Sequence, residues 1–134
     1  MYQRHTTILL TDDDDDDRYF LRQAIERVID DLAVLEAKNG EEALALLQTN
    51  FIQLVILDMN MPGLNGLETL VFIRAQNQLF STPVVMLSTS DQPELITSAY
   101  AKGINSFIKK PVHVDEYDQI ADAIKVCFLS LPMA

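Results

Sequence analysis

Asp12 to Asp17 are six aspartates in a row, separated by Thr11 from the apolar run Ile8-Leu9-Leu10. Their mutual repulsion is costly unless a cation or the positive end of a helix offsets it. Asp15, Asp16 and Asp17 suit the first turn of a helix, where carboxylates meet free N–H groups and the helix dipole. Asp12 and Asp13 differ, because two adjacent carboxylates at the end of a strand have no packing role, and a metal ion accounts for them. Asp58 also closes an apolar strand, Leu54 to Leu57, and is followed by Met59-Asn60-Met61-Pro62-Gly63. Ser88 stands behind Val84 to Leu87, and Lys110 behind Ser106 to Ile108. If these strands run parallel, the carboxylates, the hydroxyl and the ammonium meet at one edge of the sheet. That set suits phosphoryl transfer to a carboxylate, with Asp58 attacking in line. Magnesium suits a site of few carboxylates and several retained waters. Asp13 and Asp58 would bind it directly, Asp12 partly through water, and the backbone carbonyl of Asn60 would add a ligand. Lys110 and the Ser88 hydroxyl would each hold a phosphoryl oxygen. The aspartate run leaves the register of the acidic pair open by one residue, with Asp14 the alternative to Asp12.

The elements that must position these groups alternate between short β-branched runs and stretches with helical spacing, the mark of a parallel sheet with crossover helices. Strands are expected at Thr7 to Thr11, Ala33 to Ala37, Leu54 to Leu57, Val84 to Leu87 and Ser106 to Ile108. Phe20, Leu21, Ala24, Ile25 and Val28 give the first helix its inward face, and Ala43, Leu44 and Leu47 mark the second. Leu67, Leu70, Val71 and Arg74 outline the third. Pro93 opens a fourth that stops at Gly103. Val114, Tyr117, Ile120, Ile124 and Cys127 predict the inward face of the last. The fold class is α/β, a doubly wound five-stranded parallel sheet, with ligands expected beyond the carboxyl ends of the strands.

With 134 residues and 49% hydrophobic content, the chain suits one domain and one sizeable core, over residues 5–130, with no appended output domain. No run reaches the roughly 18 apolar residues of a membrane span, and Met1-Tyr2-Gln3-Arg4-His5 leads into no signal-peptide core, so a cytoplasmic protein is expected. The net charge of -10 disfavours direct contact with nucleic acid or anionic lipid. Cys127, the lone cysteine, lies in Val126-Cys127-Phe128-Leu129 and is expected to be a buried small hydrophobe. Two other chemistries fail on particular positions. A dehalogenase-type phosphatase needs a second aspartate two residues after its nucleophile, where this chain has Asn60. A calcium loop counted from Asp12 needs glycine at Asp17 and glutamate at Gln23.

The motifs Ile8-Leu9-Leu10-Thr11-Asp12-Asp13, Leu57-Asp58-Met59-Asn60-Met61-Pro62-Gly63-Leu64-Asn65-Gly66 and Lys109-Lys110-Pro111 resemble those of response-regulator receiver domains, the family of bacterial two-component signalling and chemotaxis. The resemblance spans essentially the whole chain. It implies the flavodoxin-like (βα)5 fold with strand order 2-1-3-4-5, and Asp58 as phosphoacceptor. Asp12 and Asp13 would be its acidic pair, Ser88 its switch hydroxyl, Lys110 its lysine and Phe107 its switch aromatic. It also implies a sensor histidine kinase or histidine phosphotransfer protein as donor, self-catalysed phosphorylation and dephosphorylation, and output to a protein target through helix four, strand five and helix five. Lys109 should face away from Lys110 by strand alternation, and Thr89 stands where many relatives carry a smaller residue.

Overall fold

The computed structural model describes residues 6–129, without the Leu129 side chain. The N-terminal segment Met1 to His5 and the expected boundaries at residues 5 and 130 lie outside the described residues. Five parallel strands, β1 (Thr6–Thr11), β2 (Leu32–Ala37), β3 (Leu54–Asp58), β4 (Val84–Ser88) and β5 (Ser106–Lys109), form one sheet in the order β2-β1-β3-β4-β5. The helices between and after them are α1 (Asp15–Val28), α2 (Gly40–Thr49), α3 (Gly66–Arg74), α4 (Pro93–Ala101) and α5 (Glu116–Ile124). Among the described residues no helix is long and apolar enough to cross a membrane.

Side-chain alternation splits the core into two layers. Leu9, Val55, Leu57 and Met86 face Leu47, Leu70, Ile73 and Ala99 on one side. Ile8, Leu10, Ile56 and Val85 face Leu21, Ile25, Tyr117 and Ile124 on the other. Every residue of β3 is buried, as a central strand covered on both faces requires.

Helix starts are marked by side chains that satisfy free backbone donors. Asp14 caps α1 by accepting from Asp17 N–H, and Asn39 caps α2 by accepting from Glu42 N–H. Asn65 and Glu68 form a reciprocal capping box at α3. The Pro93 start and the stop at Gly103, whose φ is +107°, match expectation for α4.

Three residues depart from their expected faces. Val114 precedes α5, in the turn after β5, and is exposed rather than part of an inward stripe. Cys127 is exposed, not buried. The chain passes from α winding to π winding over Lys125–Leu129, so a face extrapolated at the α period from Ile120 and Ile124 loses its phase, and Phe128 packs inward instead. Val71 lies on the outer side of α3.

Gly66 sets how closely α3 approaches the end of β3. A Cβ there would stand 2.5 Å from the Asp58 carbonyl oxygen and 2.7 Å from Met59 Cα, both backbone atoms that cannot turn aside. Gly66→Ala should therefore destabilise the fold by about 2 kcal/mol in urea denaturation. A change within experimental error would show that the α3 approach is loose.

Candidate functional site

Parallel register brings the chemical groups to one edge. Thr11 pairs with Leu57, so Asp12 and Asp58 each begin one residue beyond the same row of the sheet. Asp58 is level with Leu87, and Ser88 with Lys109. Asp12, Asp58 and Ser88 are all buried, while Asp13 is exposed at the mouth. One carboxylate oxygen from each of Asp12, Asp13 and Asp58 lies within 4.8 Å of the others. Asp14 is not in this group: as the α1 cap it accepts from Asp17 N–H, and its own N–H donates to Asp12 Oδ1 at 2.9 Å. Asn60 is exposed, and its N–H reaches Asp58 Oδ1 at 3.4 Å.

Lys110 Nζ sits among three carboxylates, 2.7 Å from Asp12, 2.9 Å from Asp17 and 3.4 Å from Asp58. Its backbone N–H donates to the Ser88 carbonyl at 2.7 Å, which ties the turn after β5 to the end of β4. Lys109 points the other way and pairs with Asp91 at 3.5 Å on the surface. The Ser88 hydroxyl accepts from Ser90 N–H at 3.1 Å. Phe107 is half-buried against the α2–α4 layer, and its N–H donates to the Tyr100 hydroxyl at 3.2 Å. Thr89 is exposed.

Crowding shows in the electrostatics. Burial, reinforced by the charge of Asp12, pushes the Asp58 carboxyl up to about 7, against the opposing pull of Lys110 and the Asn60 N–H. Burial also raises Asp12, although Lys110 and the Asp14 N–H resist. For Lys110 burial acts against the ammonium, but its bonds to Asp12 and Asp17 and the charges of Asp12 and Asp58 prevail, so its pKa is raised and it stays charged. Three close carboxylate oxygens with no competing soft ligand match what a hard divalent cation takes. Two unit charges 4.8 Å apart repel by roughly 3 kcal/mol at an effective dielectric of about 20, which a divalent ion among them would reverse.

The structure adds two groups that the sequence reading gave no site role. Arg18, 8% exposed, donates to the Asp12 carbonyl at 2.6 Å and pairs with Glu36 at 2.9 Å and with Asp15, fixing the backbone from which Asp12 projects. Asp17 joins Lys110 through one oxygen and receives the Tyr117 hydroxyl on the other at 3.2 Å. For Arg18 a signal was present: Arg18, Leu21 and Ile25 share helical spacing on the inward face.

A doubly wound parallel sheet with an acidic, lysine-bearing crevice at its carboxyl edge defines a flavodoxin-like class of α/β protein. The response regulator receiver domain family matches residues 8–122, and the chain belongs to that family. The nitrate/nitrite response regulator protein NarL of Escherichia coli strain K12 is 35% identical over 114 residues, which cover 85% of this chain and 52% of NarL. The chain thus spans about half the length of that relative. Chemotaxis protein CheY-3 of Vibrio cholerae is 34% identical over 94 residues, 68% of this chain and 72% of that protein. The crystal structure of the phosphorylated cyanobacterial phytochrome response regulator RcpA superposes with a TM-score of 0.90 at 28% identity, over 97% of this chain and 98% of that one. Receiver domains are signalling switches of two-component systems, and the Asp12, Asp13 and Asp58 cluster fits their phosphorylation and magnesium pocket.

The raised Asp58 carboxyl gives a stability signature in the cation-free protein. Between the ordinary 3.8 and about 7 the folded state keeps a proton that the unfolded state has lost. Folding takes up protons in that window, so stability falls as pH rises through it and levels off above. Asp58→Asn should flatten this slope and, in EDTA at pH 8, raise stability by about 2 kcal/mol. A wild-type slope unchanged in the variant would remove Asp58 as its source.

Proposed function

We propose that Asp58 accepts a phosphoryl group in a magnesium-dependent reaction and that the modified chain switches a protein-binding surface. The observation that carries this reading is the convergence of Asp58, two further carboxylates and Lys110 at one sheet edge, in a chain of the receiver family. An oxygen of Asp58 attacks phosphorus and forms the new P–O bond. The bond to the donor, the imidazole nitrogen of a phosphohistidine or the carboxyl oxygen of an acyl phosphate, breaks with its electron pair on the leaving group. What a magnesium ion supplies, bound by Asp13 and Asp58, through water by Asp12 and by the Asn60 carbonyl, is neutralisation of the phosphoryl oxygens. Lys110 supplies a further positive charge, and the Ser88 hydroxyl, whose partner in the unmodified state is the Ser90 N–H, is free to donate its proton to a phosphoryl oxygen. Water attack on phosphorus then restores the Asp58 carboxylate.

Ser88 and Phe107 form the switch in this reading. Movement of the hydroxyl toward the phosphoryl group opens space for the half-buried Phe107 ring to turn inward, and full burial of such a ring is worth roughly 1.5–3 kcal/mol. The Tyr100 hydroxyl that holds the Phe107 N–H then feels the change on α4, and the output face comprises α4, β5 and α5. The donor is a sensor histidine kinase or a phosphotransfer protein. The match to RcpA over nearly all of both chains supports a phytochrome-type kinase as the first to test.

Acetyl phosphate with magnesium should add one phosphoryl group by intact mass, labile to base and hydroxylamine as an acyl phosphate is, and Asp58→Asn should stay unmodified. The same adduct on Asp58→Asn would mean that another residue is the nucleophile.

A further inference from the structure

Lys110 is closer to Asp17 than to the acceptor that it is to serve, 2.9 Å against 3.4 Å. Its ammonium has three carboxylates, Asp12, Asp17 and Asp58, within 3.4 Å, and its side chain is only 9% exposed. Asp17 cannot follow the lysine freely. Its second oxygen accepts from the Tyr117 hydroxyl, and Tyr117 is itself 5% exposed and stacked on Phe20 of α1 with ring centroids 6.3 Å apart. The Arg27–Asp118 ion pair adds a further tie between α1 and α5. Helix chemistry alone does not account for this arrangement. An acid in the first turn satisfies the dipole by position alone, as Asp16 does with no such contact.

We propose that Asp17 is a latch on Lys110, a positioning residue that holds the ammonium away from Asp58 in the unmodified chain and, through Tyr117, couples its release to α5. The proposal rests on the reading of Asp58 as phosphoacceptor. A phosphoryl group on Asp58 presents new anionic oxygens next to the lysine and draws one of its donors from Asp17. Asp17 is left with the Tyr117 hydroxyl as its remaining partner on this side, and the hydrogen bond to α5 shortens. The arrangement is a local two-state element that the acceptor site biases. It also makes Asp17 a brake: both its hold on Lys110 and its own charge oppose arrival of an anionic phosphoryl group.

The experiment compares wild type, Asp17→Asn, Tyr117→Phe and Asp16→Asn for the rate of phosphorylation by acetyl phosphate with magnesium, followed by intact mass. Asp16→Asn makes the same charge change in the same helical turn without the contact. Asp17→Asn should accelerate the reaction by about three- to fivefold, the range expected of one partly exposed ion pair, while Asp16→Asn stays within about 1.5-fold of wild type. Tyr117→Phe, which removes one oxygen and keeps the ring, should shift the rate in the same direction by less. The Tyr117 ring resonances should move when beryllofluoride and magnesium are added to wild type, and should not respond in Asp17→Asn. Normal wild-type labelling with Asp17→Asn equal to Asp16→Asn, or slower than wild type, overturns the latch and leaves the acceptor reading intact. A wild type that is not labelled, or is labelled equally as Asp58→Asn, overturns both.

Discussion

The interaction on which the rest of the site depends is that of one ammonium, Lys110, with the carboxylates of Asp12, Asp17 and Asp58 at the carboxyl edge of the sheet. Asp12 and Asp58 are nearly out of solvent, so their charges are screened by protein groups rather than by water. One cation among four nearby carboxylates, counting Asp13, leaves the pocket short of positive charge. Burial raises the Asp58 carboxyl to about 7, the charge of Asp12 adds to the rise, and the shortage of positive charge suits the pocket to a divalent ion. A pocket with matched charges would have no use for a cation and no attraction for a transferable group that brings one with it.

Holding such a cluster requires a rigid frame. β3 supplies it for Asp58, being buried along its whole length between two helical layers. Gly66 lets α3 close against the Asp58–Met59 backbone, and the Gly66 N–H donates to the Met59 carbonyl at 2.9 Å. Arg18 and Glu36 brace Asp12 from below by way of its backbone carbonyl, so the carboxylate has little freedom to relax away from its neighbours. Repulsion among the aspartates is thus maintained by packing, at a cost that the hydrophobic core offsets.

Sequence patterns reached much of this arrangement, and the physical reasons for success and failure are separable. Strand positions were readable because β-branched runs alternate with helical periods, and Lys110 could be told from Lys109 because side chains on a strand change face at every residue. Each strand extends one residue beyond expectation, β1 and β2 at the start and β3, β4 and β5 at the end, so that Asp58 and Ser88 close their strands rather than follow them. Asp17 was not distinguishable within a run of identical residues. Composition and dipole give all three first-turn acids the same role, and only the helical phase after the Asp14 cap turns Asp17 toward Lys110. Tyr117 held a clue, since a buried tyrosine hydroxyl needs a polar partner. Cys127 and Val114 were misjudged because one period was carried through both ends of α5, across a turn on one side and a π segment on the other.

Magnesium affinity, measured by titration of wild type, Asp13→Asn and Asp14→Asn, tests whether the strand-end carboxylates form the cation pocket. Asparagine at position 14 still caps α1, so the fold is unaffected, and the charge change is the same in both variants. The arrangement described here predicts that Asp13→Asn weakens binding by about tenfold or more, while Asp14→Asn remains within about twofold of wild type. Equal losses in the two variants would show that the cation responds only to the general acidity of the segment, and would contradict a pocket built from Asp12, Asp13 and Asp58.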